Sequence, residues 1–133
     1  MEDSAPRKLA AILAADVAGY SRLMGQDEEA TVRTLSAYRG AIADVVVAHE
    51  GRVFGGAGDS MVAEFSSPVQ AVRAALSIQE HVATQNENLP KDRRMHYRIG
   101  VNLGDVIVDG ENLLGDGVNV AARLEGLAPP GGI

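Results

Sequence analysis

Between residues 9 and 127 the spacing of apolar side chains changes repeatedly, and that order of periods limits the fold more than any single residue does. Leu9 to Ala15 is a short unbroken apolar run ended by Asp16 and Gly19, and its length and ending favour a buried strand over a helix. From Asp27 the period lengthens. Ala30, Leu35, Tyr38, Ile42, Val45 and Val46 recur at three- and four-residue steps, a helix of about five to six turns with its stop at Gly51. The stretch "VFGGAGDSMVAEF" (53–65) then alternates on both sides of a glycine-rich turn and predicts a β-hairpin. Ser67, Pro68 and Gln70 supply an N-cap, a first-turn proline and a capping-box glutamine for a second long helix, with Val72, Leu76, Val82 and Ala83 along its buried side. After a polar loop over 86–94, "MHYRIGVNLGDVIVDGENLLG" reads as two strands around Gly104-Asp105, closed by an Asp109-Gly110 turn. "GDGVNVAARLEGLA" is a short helix stopped near Gly126 and by Pro129-Pro130. The resulting β-α-β-β-α-β order is that of an α+β, ferredoxin-like unit: an antiparallel sheet with helices packed on one face.

No repeat or linker divides the 133 residues, so one domain is expected from residue 8 onward, behind a flexible N-terminus over 1–7. The chain stops at Gly132-Ile133, where a further strand would begin, and a domain incomplete at its C-terminal end is expected. Cysteine is absent, which excludes disulfides and thiol chemistry. A net charge of −6, no basic tract and 4% aromatic residues argue against nucleic acid as a partner. No signal peptide or membrane-length apolar run is present, so a cytoplasmic setting is expected.

Two aspartates carry the chemical interest. Asp16 ends the first strand and Asp59 sits in the first hairpin, on strands that neighbour each other in a ferredoxin-like sheet. Paired carboxylates suit Mg²⁺ or Mn²⁺, and two such ions can clamp a transferring phosphoryl group. The small residues of "VAGYS" lead into a helix, so the backbone N–H groups of Ala18, Gly19 and Tyr20 could hold phosphate oxygens. The plainer reading is that Asp16 caps that helix and Asp59 ends a turn. Asn119 and Arg123 lie four apart on one helix face, with Val120, Ala121 and Leu124 directed to the core. An amide and a guanidinium on one stripe can hold a ribose and offset phosphate charge, or can simply form a solvated face. Asp105, in the turn expected at Gly104-Asp105, competes with Asp59 as a ligand. His49, His81 and His96 share no ligand spacing and fit surface or capping roles, while Tyr38 and Tyr97 fall on apolar faces.

Taken together, "ILAADVAGYSRLM", "GRVFGGAGDSMVAEF", "YRIGVNLGDVIV" and "LLGDGVNVAARLEGLA" resemble the class III nucleotidyl cyclase catalytic domain, bacterial adenylate cyclases above all, from residue 8 onward. The resemblance implies that Asp16, Asp59 and the carbonyl of Val17 bind two Mg²⁺ or Mn²⁺ ions. It implies that Asn119 orients the ribose and that Arg123 stabilises the α-phosphate. The implied reaction is attack of the ribose 3′-hydroxyl of ATP on the α-phosphate, giving 3′,5′-cyclic AMP and pyrophosphate, in a homodimer whose sites each draw on both subunits. Two departures stand out. Gly55 and Asn112 occupy the positions at which adenylate cyclases of this family read the base, normally with a lysine and with an aspartate or threonine. The lysine that follows the arginine in the family has no counterpart up to Ile133, so residues 1–133 alone are expected to cyclise weakly or not at all. The alternative function is a cyclase-like module that dimerises and regulates an attached domain. A diguanylate cyclase is disfavoured because "GGAGDSM" lacks the acidic G-G-[DE]-E-F signature.

Overall fold

The computed structural model describes residues 6–133. The flexible N-terminus expected over 1–7 lies, as far as residue 5, outside the described residues. Strand β1 (Arg7–Val17) is followed by helix α1 (Tyr20–Gln26) and helix α2 (Glu28–Ala48). Next come the hairpin strands β2 (Gly51–Gly55) and β3 (Met61–Phe65), then helix α3 (Pro68–Asn86). The chain continues through β4 (Tyr97–Asp109), β5 (Asn112–Leu114) and α4 (Asp116–Leu127). The five strands form one antiparallel sheet in the order β2-β3-β1-β4-β5. The first four follow the ferredoxin-like order, and β5 extends the edge.

β1 is the central strand, covered on both faces, which is why it reads as a continuous apolar run and not as an alternation. Its odd positions Ala11, Leu13, Ala15 and Val17 enter the larger core with α1, α2 and α3. Its even positions Ala10, Ile12 and Ala14 enter a second core with Val106, Leu113 and Ala121 of α4. So α1 to α3 share one face as expected, while α4 lies on the other. The sheet curls around that second core, and its two edges meet where Arg52 of β2 donates to the Glu111 carbonyl beside β5 at 2.6 Å.

Three sequence expectations are corrected. Gly104-Asp105 is not a turn, because β4 runs through it and pairs with β1 from Tyr97 to Ile107. Gly104 serves a close approach instead: a Cβ there would lie 3.0 Å from the Gly117 Cα at the start of α4. The long helix stops before Gly51. Glu50 takes the left-handed turn at φ 62°, and Gly51 opens β2, where a Cβ would meet the Phe65 ring at 2.5 Å. On α3 the buried side is Ala71, Ala74, Ala75, Ile78 and Val82, while Val72 and Leu76 stand 45% and 55% exposed and Ala83 is exposed. Alanines let α3 approach an alanine-rich strand closely, which turns its larger residues outward.

The α3 start follows expectation, and Asp27 caps α2 in the same way. Asp27 Oδ1 accepts from the Ala30 N–H at 3.1 Å, and Ser67 Oγ accepts from the Gln70 N–H at 3.1 Å. His49 caps the end of α2 through its ring contact with the Val45 carbonyl at 2.8 Å, and Tyr38 and Tyr97 are core residues. Among the described residues no helix is long and apolar enough to cross a membrane.

One ion network spans the curled face. Glu64 on β3 meets Lys8 of β1 at 2.9 Å and Arg52 of β2 at 2.6 Å. Burial pushes its carboxyl up, but the two cationic partners outweigh burial and hold it below the usual carboxylate range. A depressed folded pKa adds stability above the unfolded value, and that stability is lost as pH falls through the folded one. Glu64→Gln is therefore expected to cost about 0.5–1 kcal/mol at neutral pH. In paired thermal melts the difference from wild type should vanish at pH values below the depressed carboxyl range. A difference that persists there would show that the ion network is not its source.

Candidate active site

Asp16 closes β1 on the face of Ala10, Ile12 and Ala14, directly opposite Arg98 of β4. Arg98 donates from Nε to Oδ1 and from Nη2 to Oδ2 of Asp16, each at 3.1 Å. Asp16 is not a helix cap: the N-cap of α1 is Gly19, in left-handed conformation with φ 69° and without a side-chain cap.

Asp59 reaches the same end of β1 from the β2–β3 turn. Its Oδ2 accepts from the Val17 N–H at 3.0 Å, so the carboxylate touches the residue next to Asp16. The turn behind it is restrained twice. Ser60 bridges back to Ala57 through its N–H and hydroxyl, and Arg39 of α2 donates to the Gly58 carbonyl at 2.6 Å. Gly58 itself sits at φ 61°, a conformation that glycine adopts without strain.

The donor set here is entirely oxygen: two half-buried carboxylates and the backbone at Val17. Among the described residues no three His, Cys, Asp or Glu side chains cluster as a self-sufficient metal site. That composition fits a hard cation of the Mg²⁺ type, which takes one or two carboxylates and completes its shell from water and substrate phosphates. Ala18, Gly19 and Tyr20 follow directly, with the Ala18 N–H already donated to the His96 carbonyl at 2.9 Å, so that group is committed within the fold. Asp105 lies elsewhere, exposed and paired with Arg7 at 2.7 Å.

On α4, Asn119 and Arg123 are both exposed and share a face. Arg123 has only a loose contact with Asp116 at 3.8 Å, its side chain 72% exposed. Among the described residues no hydrogen bond or ion pair joins either of them to Asp16 or Asp59. Leu124 is not a core residue, being 40% exposed; the buried stripe of α4 is Gly117, Ala121 and Glu125. Gly55 ends β2 and Asn112 opens β5, with Asn112 Oδ1 accepting from the Leu113 N–H at 2.9 Å.

Arg98, Glu125 and Arg39 were not singled out by the sequence. Glu125 is 8% exposed and its Oε2 lies 3.9 Å from Arg98 Nη2. Burial, then the negative charge of Asp16 and a hydrogen bond with it, raise the Glu125 carboxyl to about 7, with Arg98 opposing. The Asp16 hydrogen bonds push the Arg98 guanidinium further toward its protonated form. The four-residue step from Gly117 through Ala121 to Glu125 was the available signal that an acid lies on the buried stripe.

No protein-family model matches the chain. It is 50% identical over 133 residues to a Rhizobium meliloti (strain 1021) protein named "Putative adenylate cyclase 3", covering 99% of this chain and 23% of that protein. It is 31% identical to the adenylate cyclase of Streptomyces coelicolor, covering 96% of this chain and 32% of the relative. The chain thus spans 23% and 32% of the length of these two curated relatives. Among solved structures, the adenylate/guanylate cyclase/hydrolase from Silicibacter pomeroyi superposes with a TM-score of 0.87 at 42% identity, over 96% of this chain and 75% of that one.

Proposed function

The chain belongs to the class III adenylate/guanylate cyclase domain family, and on that premise we propose that it is the catalytic domain of an adenylate cyclase that forms 3′,5′-cyclic AMP and pyrophosphate from ATP. The observation that carries this reading is the fixing of Asp59 on the Val17 N–H, one residue from Asp16. Asp16 and Asp59, with the Val17 carbonyl, would hold two Mg²⁺ or Mn²⁺ ions. Bound there, such ions would acidify the ribose 3′-hydroxyl and offset the triphosphate charge. Asn119 would orient the ribose. Arg123 would donate to the α-phosphate oxygens while the bond to the 3′-oxygen forms and the bond to the pyrophosphate oxygen breaks.

Asn119 and Arg123 face solvent on α4, unlinked to the aspartates of their own chain. That supports a homodimer in which each site takes the aspartates of one copy and α4 of the other. ATP is favoured over GTP by the names of the relatives. Gly55 has no side chain to read a base, and this one feature favours the second reading, a cyclase-like module that regulates an attached domain.

The test is product formation by the full-length protein with Mn²⁺ or Mg²⁺, using ATP and GTP in turn. Cation-dependent cyclic AMP is expected, with cyclic GMP the lesser product. A full-length protein silent with both nucleotides and both cations would favour the regulatory module.

A further inference from the structure

Arg98 stands between two carboxylates. It engages both oxygens of Asp16 at 3.1 Å, and its Nη2 also lies 3.9 Å from Glu125 Oε2. Asp59 is the other charged group acting on both Arg98 and Glu125. The place of Glu125 is set by backbone contact, because α4 sits directly on β4 at Gly100, where a Cβ would lie 2.3 Å from the Glu125 nitrogen. The guanidinium therefore has one acceptor fully engaged and a second within a short side-chain shift.

Arg98 occupies two of the roughly four lone-pair sites on the Asp16 carboxylate, and a divalent cation taking the others would set a second positive charge against the guanidinium and favour its displacement. A partly buried guanidinium with nowhere to go would resist the displacement. We propose that Glu125 is a positioning residue for the cation site: it receives the Arg98 guanidinium when a divalent cation takes Asp16. This rests on the cation reading of Asp16 above. It links the buried side of α4 to the metal carboxylate of the same chain through Arg98, beside the direct influence of Asp16 on Glu125.

The experiment measures Mn²⁺ binding to the full-length protein without nucleotide, by the electron paramagnetic resonance of the free ion. Glu125→Gln is expected to weaken binding by about tenfold, the scale for losing a group that orients a metal ligand. In an Arg98→Gln background the same change should have little effect, since no guanidinium remains to be received. Glu125→Asp, which keeps the charge with a shorter reach, should fall between wild type and Glu125→Gln, and serves the same cycle should the glutamine variant not fold. Equal weakening in both backgrounds would mean that Glu125 acts only through its negative field, and would overturn the proposal. So would unchanged affinity in Glu125→Gln. Wild-type binding that is not saturable, or that survives Asp16→Asn, would instead bring down the cation reading itself, and this inference with it.

Discussion

Asp59→Asn is expected to lower cyclic nucleotide formation by at least about 10²–10³-fold, the scale on which one preorganised charge-stabilising group acts, with the melting temperature close to that of wild type. The side-chain oxygen of asparagine can still accept from the Val17 N–H, and the turn keeps its contacts from Arg39 and Ser60. What disappears is the negative charge that would hold a cation. Asp59→Ala removes both the charge and the anchor, so the difference in melting temperature between the two variants isolates the anchoring hydrogen bond. A shared-site dimer adds a sharper expectation. Arg123 is exposed, so Arg123→Ala should fold normally and be equally inactive. In an equimolar mixture of Asp59→Asn and Arg123→Ala, half of the dimers are mixed and each rebuilds one intact site, so activity should return to about a quarter of wild type. Near-normal turnover by Asp59→Asn would remove the basis of the proposed chemistry. Inactive variants that fail to complement would instead argue that each chain completes its own site.

Much of the sheet was legible because the period changes along the chain, and the second long helix announces its start at Ser67. The hairpin flanking Asp59 and the N-cap Ser67 needed only local chemistry. What the sequence did not disclose depends on a second element. Gly104-Asp105 has the composition of a turn, and only the seating of α4 against β4 shows why a glycine stands in a continuous strand. Similarly, Val72 and Leu76 fit a buried stripe by spacing alone, yet the alanine stripe one position away is the one that meets β1.

The site divides along the same line. That Asp59 of the β2–β3 turn reaches the end of β1 beside Asp16 follows from topology, which the order of periods supplied. That Asp16 is held by Arg98 depends on the β1–β4 register, which aligns residues 82 apart and which no local pattern encodes. Glu125 was hidden by its type. An acid at the end of a helix reads as solvated, and only the partner it finds on β4 explains its burial.

The close seat of α4 carries the largest stability expectation. Gly100 pairs with Ala14 in the centre of the sheet, and a Cβ there would lie 2.3 Å from the Glu125 nitrogen, 2.5 Å from the Ala121 oxygen and 2.9 Å from the Glu125 Cα. All three are backbone atoms, so no side-chain rotation relieves the contact and the helix must move off the strand. That movement opens the second core around Ala10, Ile12, Ala14 and Ala121 and withdraws Glu125 from Arg98. Gly100→Ala is therefore expected to cost about 2–3 kcal/mol, the upper part of the overpacking range, and to lower the melting temperature by roughly 10 °C. Gly40 of α2 provides the opposite case. It is exposed in the middle of a helix, and a Cβ there would meet nothing within 4 Å. Gly40→Ala should therefore stabilise by about 0.5–1 kcal/mol through helix propensity alone. Paired denaturant titrations of the two variants read both signs in one experiment. Gly100→Ala as stable as wild type would mean that α4 is not seated on β4 at that residue, and the link from Glu125 through Arg98 to Asp16 would lose its structural support.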